Sequence, residues 1–225
     1  MSGLHVYCVV AADSVPPAGL AGLDGRVVGA RNAGPVAAWT SELDAAPAPE
    51  PELLRVHHDV VLAAFRAGDV LPVRFGQWLP DAHTLTAWLE REGPAMRSAM
   101  ERVRDAVEFG VRVVGGEPEP AAEVVQPEAD GPRDYLRTLA RRRAGKREAM
   151  VQRDSLVGRL GSAVGQFVRE QRIVPPAPGD LAAVAHLVDR AQVEPYREAV
   201  ARFFEPQAPL RAEVTGPWPP WSFVT

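Results

Sequence analysis

The spacing of apolar and polar residues changes several times along the chain, and each change marks an element. Leu4 to Ala12 is an almost unbroken apolar run rich in valine, flanked by Asp13, Pro16 and Pro17, and it predicts a buried strand. Arg26–Arg31 and Pro35–Glu42 read as two further short strands, and the alanine-proline segment Ala45–Glu52 as a loop. Leu53, Val56, Val60, Ala63 and Ala64 then recur at helical spacing, with Gly68 as the stop. The following DVLPVRFGQW predicts a strand interrupted by Pro72, which suits an edge, a bulge or a strand start. Asp81 is placed to cap a helix reaching about Glu92, and Pro94 to start another ending near Asp105. AVEFGVRVVGG closes this half as a strand, and the alternation predicts an α+β sandwich with a sheet covered by helices.

The second half opens with a helical stretch from Pro132 to about Gln171, with Leu136, Leu139, Met150, Val157, Leu160, Val164 and Phe167 as its apolar positions. Arg143, Lys146 and Arg153 interrupt that stripe, and Gly158, Gly161 and Gly165 weaken its later turns by roughly 1 kcal/mol each, so a break is expected. Val174–Pro178 ends it. Leu181–Asp189 reads as a strand, Val193–Phe204 as an amphipathic helix and Leu210–Thr215 as a last strand before the tail TGPWPPWSF. The segment Gly115–Pro132 holds four prolines, five acids and no base, which neither a helix nor an interior strand tolerates. It divides the chain into an N-terminal domain, 1–116, an acidic proline-rich linker, 117–131, and a C-terminal domain, 132–225.

Composition narrows the classes. With 225 residues, 46% hydrophobic and 24% charged, the chain is neither disordered nor a coiled coil. A net charge of −4 disfavours a general polyanion binder, although the charge is uneven. Residues 1–130 carry 10 bases and 19 acids, whereas 131–172 carry 11 and 4. The single cysteine, Cys8, excludes an internal disulfide framework and reads as a buried small hydrophobe. MSGLHVYCVV has no basic region ahead of its apolar stretch, and no eighteen apolar residues run together, so a cytoplasmic protein without a membrane span is expected.

The chemistry-bearing patterns are few. No phosphate loop, nucleophile elbow or zinc-protease motif occurs. In His57-His58-Asp59 the adjacent imidazoles point about 100° apart on a helix, which does not suit one ion, and His83 and His186 complete no ligand spacing. Arg141, Arg142, Arg143, Lys146 and Arg147 could hold RNA or an acidic partner surface. Only Tyr135 lies nearby for stacking, however, and a solvated helix face accounts for the cluster as well. A ferredoxin-like enzyme acting on a small molecule, or an RNA-binding module using this cluster, are the alternatives such a chain leaves open.

Two motifs stand out. In Leu71-Pro72-Val73-Arg74-Phe75-Gly76, the arginine is either exposed on an outer face or paired inside. The expectation here is a structural role on an inner or interdomain surface, and Gly76 permits a positive φ or a close backbone approach. In Gly216-Pro217-Trp218-Pro219-Pro220-Trp221-Ser222-Phe223, three prolines make the segment stiff and extended, and three aromatics are costly to leave in water. The tail therefore folds back on the protein, locking the C-terminal domain, or docks on a partner.

Together, LHVYCVV, a helical histidine before LPVRFG, EFGVRV at 108–113 and the closing GPWPPWSF resemble the gas vesicle protein L/F family over nearly the whole chain. Phe109 stands where that family commonly has tryptophan, and Trp221 where it commonly has tyrosine. The resemblance implies two α+β domains, the C-terminal one a modified ferredoxin-like fold. It also implies a non-enzymatic accessory or minor structural protein, associated with the gas vesicle in the cytoplasm and needing no cofactor. Its partners would be the major shell protein and other accessory proteins, not nucleic acid or membrane. The motif residues Arg74, Phe75, Gly76, Phe109, Gly110, Gly216, Trp218, Trp221 and Phe223 become structural or partner-binding candidates, and Arg141–Arg147 a possible electrostatic patch.

Overall fold

The computed structural model describes the backbone of residues 2–115 and 132–224, without the side chains of 132–146 and 149. The expected linker, 117–131, lies outside the described residues. The chain forms two compact units: Met1–Glu108 together with Gly216–Thr225, and Phe109–Thr215.

In the first unit, the valine-rich run forms β1 (Gly3–Ala11), and burial of every residue from Gly3 to Val10 explains why it reads as apolar without alternation. β2 (Gly29–Ala33) and β3 (Val36–Leu43) follow as a hairpin. α1 (Pro51–Ala67) has proline in its first turn and stops at Gly68. β4 (Val70–Pro72) and β5 (Trp78–Leu79) both pair antiparallel with β1, giving the order β2-β3-β1-β4 with β5 beside β1. Pro72 thus sits on an edge strand, where its missing N–H costs nothing.

α2 (Ala82–Val103) begins at Asp81, whose carboxylate accepts the Thr84 N–H at 2.7 Å. The expected division at Pro94 does not occur. Leu85, Leu89 and Gly93 before it and Val103 after it are buried, and Pro94 faces solvent, so the lost backbone bond falls on the wet side of one continuous helix. β6 (Ala106–Val114) follows, and the boundary between the units falls inside it.

The second unit continues with α3 (Pro132–Val164), β7 (Val168–Ile173), β8 (Asp180–Asp189), α4 (Val193–Phe204) and β9 (Arg211–Trp218), with sheet order β7-β8-β6-β9. Starting from β6, the order strand-helix-strand-strand-helix-strand is that of ferredoxin-like folds and is compatible with the expectation. Two readings of α3 need correction. The helix runs through Gly158 and Gly161, because Leu156, Val157, Leu160 and Val164 bury its inner face and outweigh the weak glycine turns. It also ends at Val164, well before Gln171, and β7 takes up residues assigned to it. The one-side-out pattern of VREQRI, half-buried and exposed in turn, is a strand period that the helical reading overran.

The expected domain limits shift accordingly. Phe109–Val114 pairs into the second sheet, and the aromatic tail belongs to the first unit, not to the C-terminal domain.

Tyr7 is the extra residue of a bulge in β1 against β3 and is fully buried. Its hydroxyl accepts the Leu23 N–H at 2.8 Å and donates to Ser41 Oγ at 3.1 Å. A Cβ on Gly22 would come within 2.2 Å of that hydroxyl and 2.5 Å of Ser41 Oγ. Gly22→Ala should therefore cost about 1–3 kcal/mol of stability by overpacking, read from urea midpoints.

Candidate functional site

The conspicuous segments of the sequence converge in the first unit around α1. Between β4 and β5 the chain leaves β1 at Val73, whose N–H bonds Tyr7 O at 3.0 Å, and returns at Gln77, whose carbonyl accepts the Val6 N–H at 2.9 Å. LPVRFG is thus a loop thrown out from an edge strand. Gly76 closes it with φ of +92°, a left-handed conformation that favours glycine. Phe75 turns inward, its ring centre 5.4 Å from His5 and 5.6 Å from His57. Arg74 points the other way: it is exposed and makes no ion pair among the described residues. Of the placements expected from the sequence, the inner, paired one is not found, since Arg74 is exposed while the neighbouring Phe75 is half-buried.

His57 is buried under this loop and has both ring nitrogens engaged. The Val73 carbonyl can only accept, so Nε2 carries the proton and donates across 2.9 Å. Nδ1 is then bare and accepts from His5 Nε2 at 2.9 Å. His5 Nδ1 is left as a buried acceptor with no partner among the described residues. Burial holds His57 down at about 4, His58 adding to the effect against the Val73 bond, and burial with the neighbouring His57 holds His5 at about 3. Both imidazoles are neutral and serve as hydrogen-bonding struts.

The tail covers the outer side. Trp221 stacks on His58 with centroids 5.9 Å apart and lies 6.2 Å from His57, and Trp218 meets the edge of His58 at 5.8 Å. Pro219, Pro220 and Phe223 are buried. Glu108, 8% exposed, accepts both the Ser222 N–H and the Ser222 hydroxyl at 2.7 Å, and the Arg102 guanidinium donates to the Phe223 carbonyl. Trp218 keeps 38% of its surface exposed, and Leu54, one helical turn before His58, keeps 41%. The result is a half-exposed patch of tryptophan, histidine and leucine with an exposed arginine on the adjoining loop.

Of the candidate residues, Arg74, Phe75, Gly76, Trp218, Trp221 and Phe223 thus gather in this unit. Gly216, with φ of +121°, stands where it resumes. Phe109 and Gly110 belong to the second unit. There Phe109 packs 4.9 Å from Tyr196 under the Arg197 guanidinium, and Thr215 Oγ1 lies 3.5 Å from Gly110 O. Arg147 is exposed on α3, and the side chains of Arg141, Arg142, Arg143 and Lys146 lie outside the described residues. Cys8 is buried, which pushes its thiol up and out of reach of reaction at neutral pH.

Sequence reasoning missed His5, Arg102, Glu108 and Ser222. Two carried a readable signal, since a histidine and a glutamate inside apolar strands must each find a partner. Arg102 and Ser222 carried none.

Three comparisons bear on what this arrangement belongs to. The family model described as "Gas vesicle synthesis protein GvpL/GvpF" matches residues 3–225. Gas vesicle protein L of Streptomyces sp. (strain CB03234) is 31% identical over 185 residues, covering 76% of this chain and 68% of the relative. Gas vesicle protein F of the same strain is 28% identical over 206 residues, 85% of each. The crystal structure of GvpF from Anabaena sp. PCC7120 superposes with a TM-score of 0.83 at 17% identity, covering 100% of this chain and 97% of the other. That from Microcystis aeruginosa gives 0.78 at 16%, covering 99% of each. At these identities the two crystal structures speak for the shared α+β fold.

Two predictions follow from the geometry. A histidine held below its unfolded value of about 6.5 binds its proton in the unfolded chain first, so stability rises with pH across the interval. His5 and His57, with His186 of the second unit also lowered to about 4, should make the protein lose stability as pH falls from about 6.5 towards 4, by roughly 1.4 kcal/mol per pH unit for each group. Urea midpoints at pH 7.5 and 5 measure this. The second concerns Phe223, which is fully buried: Phe223→Ala should cost about 3–5 kcal/mol, whereas Trp218→Ala should leave the thermal midpoint nearly unchanged.

Proposed function

Because the chain belongs to the GvpL/GvpF family of gas vesicle synthesis proteins, we propose that it acts without catalysis as an assembly factor or minor component. On this reading it binds the major shell protein and other accessory proteins in the cytoplasm, at the growing gas vesicle. The supporting observation is the patch on the first unit, where Trp218 and Leu54 stay substantially exposed on a frame held by part-buried hydrogen bonds. Large apolar side chains kept rigidly at a surface lose little conformational freedom on binding, the property that makes tryptophan and arginine anchors in interfaces. A small apolar shell subunit has to be kept from self-association until it joins the wall, and an apolar patch beside a cation offers it temporary cover. Among the described residues no helix is long and apolar enough to cross a membrane.

The test separates binding from folding. Trp218→Ala and Arg74→Glu should each weaken retention on immobilised shell protein at least about tenfold, with thermal midpoints close to the unaltered protein. Complementation of a deletion strain should then show fewer vesicles. Undiminished retention by both variants would move the shell-binding surface elsewhere on the molecule.

A further inference from the structure

Among the described residues, the second unit ends in a sheet edge with no further strand on it, and its sequence is complementary to itself. β9 is the terminal strand in the order β7-β8-β6-β9. Its register against β6 shows in the contacts of the two strands: Arg112 Nη1 reaches Glu213 Oε2 at 3.2 Å, and Gly110 O lies opposite Thr215 Oγ1. Glu213 therefore shares with Arg112 the sheet face opposite to α4. Ala212 and Val214 line a groove of about 490 Å³ against α4, together with Val200, Phe204 and Leu210 and the charged residues Arg197, Glu205 and Arg211. Val214 is 39% exposed there, so α4 extends over space that β9 does not fill. Pro209 and Pro217 bound the stretch that can pair further.

We propose that a second copy of this chain occupies that edge, β9 pairing antiparallel with β9 of the copy about a two-fold axis at Ala212. Charge and burial select this register. Centred on Ala212, Arg211 faces Glu213 of the copy twice, and Leu210 faces Val214 twice on the groove side. Centred on residue 211 or 213, the pairing sets arginine against arginine or glutamate against glutamate. A slip of one residue puts the two helical layers on opposite sides and exposes the apolar row. Arg211 makes no ion pair within its own protomer among the described residues, so its charge is available. The paired segment is short, about 17 Å of strand, which places the association in the weak, concentration-dependent class.

The experiment is sedimentation velocity from about 5 µM to 0.5 mM, with a charge swap. The unaltered chain should pass from monomer to dimer. Arg211→Glu should weaken dimerisation at least about tenfold, and the double variant Arg211→Glu/Glu213→Arg should restore it. Arg112 also holds Asp180 through two bonds of 2.8 Å that involve neither substituted residue. Independently, Ala212→Cys should give disulfide-linked dimers in air, since a two-fold at this residue sets the two Cα atoms about 4.5–5.5 Å apart and Cys8 is buried. A monomer throughout the range, a dimer indifferent to Arg211→Glu, or no cross-link at 212 would each overturn the proposal.

Discussion

His57 is the strut on which the first unit turns. One imidazole touches three separate parts of the chain: it donates to the loop at Val73, accepts from β1 through His5, and lies against Trp221 of the tail. The carbonyl at Val73 dictates the tautomer, and the tautomer dictates which nitrogen is left for His5. Removing the proton-donating nitrogen would strand a buried carbonyl and loosen the loop that carries Arg74 and Phe75. Because both rings are buried, these neutral bonds hold more firmly than they would in water, and the same burial keeps both rings uncharged. The second unit repeats the device with His186, whose Nδ1 meets the Tyr196 hydroxyl at 2.8 Å and whose Nε2 meets Gln171 at 2.9 Å.

Most elements were legible because their patterns are strong. β1, β3, α1, β8 and α4 follow from runs of valine, from helical spacing and from stops such as Gly68, within a residue or two. Two of the misreadings share one physical origin. Pro94 and the glycines of α3 are local signals, and local signals lose where a helix buries a continuous inner face across them. β7 was overrun for the opposite reason, since its alternating half-buried pattern is weak and directly follows a long helix.

The site was legible as a set of segments but not as an assembly. LPVRFG and GPWPPWSF stand out through proline, glycine and aromatic content, and both are found where chemistry concentrates. Their common contact with α1 is a long-range fact that no spacing encodes. The exposure of Arg74 beside a half-buried Phe75 follows only from the folded loop. The tail's attachment to the first unit rests on Glu108, which reads in the sequence as a charge interrupting an apolar strand.

The discontinuity of the first unit has a consequence for biosynthesis. Residues 109–215 are inserted between the body of that unit and the segment that completes it. A ribosome finishes the whole insertion before it makes Trp221, Ser222 and Phe223, so the unit begun first is finished last. Until then the face of His58 has no tail to receive. Domains that are contiguous in sequence fold in the order of their synthesis; this one reverses that order. The patch around Trp218 therefore comes into being only when residues 216–224 have been made and docked, so a half-made chain offers no such surface to any partner.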